Sequence, residues 1–310
     1  MSKLGDDKFR ILSLDGGGAK GFYTLGVLLE VEAMMGRPLH EAFDLIYGTS
    51  TGSIIGTLLA TGKSVSQIHK LYKEHVPTIM KQTTRAGRSA KLADLSSTIF
   101  KDHGFDRVKT GIGIVATRWA QEKPIIFKAD AGQAHGRTAS FVPGFGVKLG
   151  EAVQASCSAY PFFARKTVTI QGTATVLIDG GFCANNPTLY AIADAELAFK
   201  VPRKDTRVLN VGVGDYPTPR VKKFTRPWLM SFVEEAELIH KTLNINTQSM
   251  EQLRQVLFPD IATVRVSEAF TEPMMATDLL EHDLTKLGLI HQRGRESFGK
   301  QEAHIRTLLS

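Results

Sequence analysis

The sequence predicts an α/β fold built on a mostly parallel central sheet. Three observations carry this. Two short apolar runs, residues 9–14 and 42–47, each pass into a cluster of small residues and then into helical spacing. The clusters are Gly16-Gly17-Gly18-Ala19-Lys20-Gly21 and Gly48-Thr49-Ser50-Thr51-Gly52. A third apolar run, residues 176–178, ends in Asp179-Gly180-Gly181. Strand, loop, helix and strand make one βαβ unit with a right-handed crossover. Loops leaving the carboxyl ends of adjacent parallel strands are where such sheets bind ligands.

Composition sets the outer bounds. The 310 residues are 43% hydrophobic and 22% charged, enough apolar material for one large core. The net charge of +7 suits an anionic membrane surface or a phosphate-bearing ligand. Nothing points to nucleic acid as a partner. Cys157 and Cys183 are the two cysteines, too few for a disulfide framework, and a reduced cytosolic compartment fits them. Residues 1–10 are charged and lack a signal core, and no stretch approaches the length of a membrane span. The expectation is a cytoplasmic protein that meets lipid from the water side, by peripheral contact with the inner face of the membrane.

In order along the chain, residues 9–14 read as a buried strand and residues 22–35 as a helix with Phe22, Leu25, Leu28, Leu29 and Ala33 on one side. Gly36 and Pro38 close it. Gly16, Gly18 and Gly21 satisfy the dinucleotide fingerprint, which also needs an acid at the end of the next strand. That strand ends instead at Ser50, with Asp44 at its beginning. The better reading of Gly16, Gly17 and Gly18 is an oxyanion hole, since consecutive glycines let backbone N–H groups converge on one point. Gly48 to Gly52 has the G-x-S-x-G form between a strand and a helix, the context of a nucleophile elbow. The glycines there must be small because the helix backbone passes close to the strand.

Gly62-Lys63-Ser64 resembles the end of a P-loop, but Thr57 stands where its first glycine belongs. Ser64 caps a helix over 65–76, which Pro77 kinks or ends. Residues 81–91 carry Lys81, Arg85, Arg88 and Lys91 without an acid and read as a mobile basic loop, either solvated or contacting phosphate. Residues 112–116 and 124–127 read as strands, 129–146 as a surface loop and 151–159 as a helix of small residues. Asn185, Asn186 and Pro187 open a helix over 188–199. A strand follows at 207–212, then a basic linker with Lys222, Lys223 and Arg226. Residues 228–257 read as helix with a core-facing stripe of Trp228, Phe232, Ala236 and Ile239. A strand at 261–266 precedes terminal helices over 277–287 and 290–309.

Acyl transfer needs a nucleophile, a proton acceptor and oxyanion donors. None of the nine histidines sits at a strand exit. Asp179 does, and a partly desolvated carboxylate can act as a base.

Together the glycine loop, G-x-S-x-G and Asp179-Gly180-Gly181 resemble the signature of the patatin-like phospholipase family over about residues 8–215. Many members have Ala where Gly181 stands. The resemblance implies a three-layer α/β/α fold in a single domain over 1–310, with residues 216–310 a mostly helical C-terminal extension. It implies a Ser50–Asp179 dyad, Ser50 as nucleophile and Asp179 as general base, hydrolysing acyl esters of membrane phospholipids without a metal or other cofactor. Residues 9–56 are also similar to the opening of bacterial patatin-like effectors of antiphage signalling. That implies activation by a cyclic dinucleotide, cyclic GMP–AMP. Its two phosphates and two bases need cations beside planar groups, which residues 81–91 and 222–228 offer. Two alternatives stand beside this reading. One is an α/β-hydrolase triad with His240, His282 or His291 as third member. The other is a nucleotide-binding module built on the glycine loop.

Overall fold

In a computed structural model that describes residues 3–136, 138–219 and 227–310, with side chains in the last segment from residue 237 onward, the apolar runs join one sheet. Its strands are β1 (Phe9–Leu14), β2 (Leu45–Thr49), β3 (Gly111–Arg118), β4 (Lys123–Lys128), β5 (Lys166–Ile170), β6 (Thr173–Asp179), β7 (Thr206–Val211) and β8 (Ala262–Val266). Their order is β5-β6-β3-β2-β1-β7-β8, with β4 also paired to β3. Strands β3, β2, β1, β7 and β8 are parallel, while β4 and β6 run antiparallel to β3.

Successive side chains of a strand face opposite ways. Leu45 and Tyr47 of β2 therefore enter one apolar layer and Ile46 the other. Burial on both faces is what a parallel sheet requires. One layer is covered by α1 (Gly21–Met35), α3 (Thr51–Ala60), α4 (Val65–Met80), α5 (Arg85–Phe100) and α6 (Leu149–Ser156). A short α2 (Leu39–Ala42) leads into β2, and α7 (Gly181–Ala184) follows β6. On the opposite face, α8 (Thr188–Ala193) packs Ala191 and Ile192 against Ile11, Leu45, Tyr47 and Val208. The expected three-layer α/β/α arrangement is present.

The chain beyond residue 215 adds to these layers. β8 extends the parallel sheet beside β7. α9 (Pro227–Leu257) touches α7 and α8, and α10 (Leu284–Leu309) lies along α1. The helices α1 and α10 cross where glycine replaces a side chain on each, since a Cβ at Gly294 would come within 2.1 Å of the Tyr23 carbonyl oxygen. The buried guanidinium of Arg10 ties β1 to the end of α10 by donating to the Leu309 carbonyl at 3.1 Å.

Register then brings two loops together. β4 occupies one edge of β3 over Gly113–Arg118. β2 takes the other edge up to Val115, opposite Thr49, and β6 takes the next positions, with Asp179 opposite Ala116. The carboxyl ends of β2 and β6 thus meet head to head.

Three expectations need correction. Only residues 81–84 of the stretch 81–91 are a loop: Thr84 Oγ1 accepts the Gly87 N–H at 3.1 Å and starts α5 at Arg85, because Leu92, Leu95 and Ile99 recur at helical spacing toward the apolar layer. Pro77 lies inside α4 without ending it, since the last turn packs Ile79 and Met80 against the same layer. Residues 277–283 are not helical; Asp283 caps α10 instead, its carboxylate accepting the Lys286 N–H at 2.9 Å. Lys222, Lys223 and Arg226 lie outside the described residues, as do the side chains of Trp228, Phe232 and Ala236. Ile239 is partly buried against the large apolar layer, as expected.

Candidate active site

Ser50 sits between the last residue of β2 and the first of α3, with φ 52° and ψ −123°. A positive φ is strained for a residue with a side chain, and such strain persists only where the surroundings enforce it. Here they do. The Ser50 N–H donates to Ser156 Oγ at 2.9 Å, and its carbonyl accepts the Ser53 hydroxyl at 2.6 Å and the Ser53 N–H at 2.8 Å. The motif glycines make the turn fit. A Cβ at Gly48 would lie 2.3 Å from the Gly52 carbonyl oxygen, and one at Gly52 would lie 2.3 Å from that of Leu14.

The Ser50 hydroxyl donates to Asp179 Oδ2 at 2.7 Å. The other carboxylate oxygen, Oδ1, accepts the Gly181 N–H at 2.7 Å, which fixes the plane of the carboxylate. Asp179 is 2% exposed, and burial pushes its pKa up to about 6 against the opposing hydrogen bonds from Ser50 and Gly181. A carboxylate so placed is a stronger base than one in water and needs no relay to reach the hydroxyl. Gly180 releases the chain from β6 into α7, with Gly181 as its first residue.

As a general base Asp179 would work only when deprotonated, so kcat/KM should then rise with pH and level off above an apparent pKa near 6. A flat profile from pH 5 to 8 would remove Asp179 as the base. The same shift opposes stability at high pH. A carboxyl raised in the folded state stabilises fully below its unfolded value of 3.8, and that contribution is lost as pH climbs through about 6.

The glycine loop lies across from Ser50. A Cβ at Gly16 would come within 3.2 Å of Ser50 Cβ. Gly16 spends its N–H on the Asn185 carbonyl at 3.0 Å, and its own carbonyl accepts from Asn185 Nδ2 at 3.2 Å. The N–H groups of Gly17 and Gly18 meet no acceptor among the described residues, and Gly18 has φ +58°. Gly21 begins α1. A methyl at Gly17 would strike Val213 Cγ2 at 2.5 Å, so Gly17→Ala perturbs packing as well as the loop.

Two supports of this loop escaped sequence reading. Asn185 looked like a helix opener, yet it holds Gly16 and is itself held by Thr247 and Asn246 of α9, each at 2.7 Å. Asp15, just before the loop, is buried and gripped by Arg265 of β8 at 2.8 Å and by Asn210 of β7 at 2.9 Å. The only sequence signal for Arg265 is a charge inside an otherwise apolar, alternating strand.

An apolar cavity of about 70 Å³ opens from Ser50 and Asp179 between α3, α4 and α5. Leu58, Val76, Ile79, Leu95, Phe162 and Phe163 line it, which is a wall chemistry for an acyl chain. No histidine among the described residues hydrogen-bonds Ser50 or Asp179. His291 stacks on His69 with ring centroids 4.0 Å apart, and burial lowers the pKa of both to about 4.

The basic residues of 81–91 do not converge. Lys81 is exposed at the end of α4, and Lys91 pairs with Asp94 at 3.4 Å. Arg88 is buried, and its guanidinium donates to the carbonyls of Phe162 and Gln82. Arg85 is exposed and lies over the Tyr160 ring.

Comparison with known proteins gives the family. The family profile described as Patatin, Patatin-like phospholipase, matches residues 12–192. The chain is 57% identical to a cUMP-AMP-activated phospholipase of Escherichia coli, covering 100% of this chain and 97% of that one. It is 28% identical to a cGAMP-activated phospholipase of Escherichia coli strain TW11681, over 68% of this chain and 64% of that one. A cGAMP-activated phospholipase of Vibrio cholerae is also 28% identical, over 66% and 64%. The chain belongs to the patatin-like phospholipases, which are serine-dependent lipid acyl hydrolases.

Proposed function

We propose that the protein hydrolyses acyl esters of membrane phospholipids with Ser50 as nucleophile and Asp179 as general base, and that cUMP-AMP switches it on. The observation that carries the catalytic part is the 2.7 Å contact between Ser50 Oγ and Asp179 Oδ2 at the head of an apolar cavity. Asp179 takes the hydroxyl proton as Ser50 attacks the ester carbonyl, and the N–H groups of Gly17 and Gly18 receive the developing oxyanion. Asp179 returns the proton to the leaving alcohol, then activates the water that frees the fatty acid.

The choice of activator rests on similarity. The whole-length relative at 57% identity is named for cUMP-AMP, whereas those named for cGAMP match at 28% over about two thirds of the chain. This refines the sequence expectation of cyclic GMP–AMP. Restraint until a signal arrives suits a lipase that could attack its own cell's membrane, and a role in antiphage defence follows. The activator must favour the active conformation, because equal affinity for both states shifts nothing.

The test is fatty-acid release from phospholipid vesicles with cUMP-AMP, with cyclic GMP–AMP and with neither. Release should rise by about tenfold or more with cUMP-AMP, a shift that needs only about 1.4 kcal/mol of coupling. Equal release in all three would describe an unregulated lipase.

A further inference from the structure

The segment between α6 and β5 has two sides. Ala159, Phe162 and Phe163 line the cavity that holds Ser50. Tyr160 and Arg165 of the same segment stack with groups outside that cavity's lining. The Arg165 guanidinium carbon lies 3.8 Å from the ring centroid of Trp119, in the turn between β3 and β4, and 4.9 Å from that of Tyr160. Arg85, at the start of α5, covers Tyr160 at 5.0 Å. Arg85 and Arg165 are exposed, and Trp119 is 43% exposed. Neither arginine has a carboxylate partner among the described residues. Arg88 clamps α5 to this segment through the Phe162 carbonyl at 2.9 Å, so the patch and the cavity wall are one rigid rim.

We propose that Trp119, Tyr160, Arg85 and Arg165 form the face that docks on an anionic phospholipid bilayer. The inference rests on the phospholipase reading, because it is the substrate's bilayer that the rim would meet. Two unpaired guanidinium groups complement headgroup phosphates, and Arg binds them as a planar fork. Trp and Tyr, with an apolar body and a polar edge, settle at the boundary between headgroups and acyl chains. Stacking holds the arginines upright without neutralising them. A lipid drawn from a bilayer at this rim would pass its acyl chain into the cavity that Phe162 and Phe163 line with Ser50.

The experiment is sedimentation with vesicles of phosphatidylcholine alone or mixed with phosphatidylglycerol, in a Ser50→Ala background that prevents hydrolysis. Arg165→Glu should weaken binding to the mixed vesicles by about tenfold, with a loss that fades at high salt. Arg165→Lys should retain most of it, and Trp119→Ala should weaken binding to both vesicle types. With Ser50 restored and cUMP-AMP present, all three variants should hydrolyse a water-soluble short-chain ester at the unaltered rate. Unchanged sedimentation of both Arg165→Glu and Trp119→Ala would overturn the proposal. So would loss of cUMP-AMP binding with vesicle binding intact, which would make the patch a nucleotide site. If the unaltered protein cleaves neither vesicles nor ester, the phospholipase reading fails, while sedimentation still decides the docking face.

Discussion

Ser50→Ala and Asp179→Ala should each remove nearly all acyl hydrolysis, by about 10³-fold or more, and the double variant should be little worse than either. Residues that act as one unit show this non-additivity, because removing either partner already stops the step they share. The structural ground is one hydrogen bond between the two side chains, with the second carboxylate oxygen occupied by the Gly181 N–H. Asp179 thus has one oxygen not taken by the backbone, and it faces the Ser50 hydroxyl. Asp179→Asn sharpens the test: it keeps the size and a hydrogen bond to Ser50 but cannot take a proton. It should match Asp179→Ala in rate. It should also exceed the unaltered protein in stability at pH 8, since it no longer carries a buried charge whose pKa stands at about 6. Fatty-acid release and urea unfolding, measured on the same preparations, check both halves. A fully active Asp179→Ala protein would end the dyad.

Much of this site was legible because its signals are local. G-x-S-x-G needs five residues, and the strand before and helix after it are visible from apolar spacing alone. Asp179 at a strand exit is equally local. The sequence could not show the register of β3, which places Thr49 and Asp179 on neighbouring positions and so brings Ser50 within reach of Asp179. It also hid the long-range supports. Asn185 and Arg265 reach the glycine loop from 169 and 250 residues away in sequence, counted to Gly16 and Asp15. The basic stretch 81–91 misled for a physical reason. Charge suggested solvent, yet Arg88 is buried because two backbone carbonyls accept its guanidinium, and the apolar positions that define α5 begin only at Leu92. Residues 277–283 carry only Leu279 and Leu280 as apolar positions, and the cap supplied by Asp283 sets the start of α10 later.

A large structural effect of a single methyl should come at Gly52. Its Cβ would lie 2.3 Å from the Leu14 carbonyl oxygen and 2.7 Å from that of Asp15. Both obstacles are backbone, so no side chain can rotate away. Either α3 lifts off the sheet or the end of β1 shifts, and each movement separates parts of the site. Ser50 is the residue that caps the start of α3, while Leu14 and Asp15 lead directly into the glycine loop. Gly52→Ala should therefore destabilise by about 3 kcal/mol or more, the range of overpacked interiors, and activity should fall with it. Gly288→Ala is the matched control. Gly288 lies in α10 with nothing within 4 Å of the added carbon, so the change should stabilise by about 1 kcal/mol through helix propensity alone. Urea unfolding of the two variants should thus move in opposite directions. A Gly52→Ala protein that unfolds within about 1 kcal/mol of the unaltered one and keeps its activity would show that α3 does not press on β1, and that small residues are not what holds Ser50 in its strained turn.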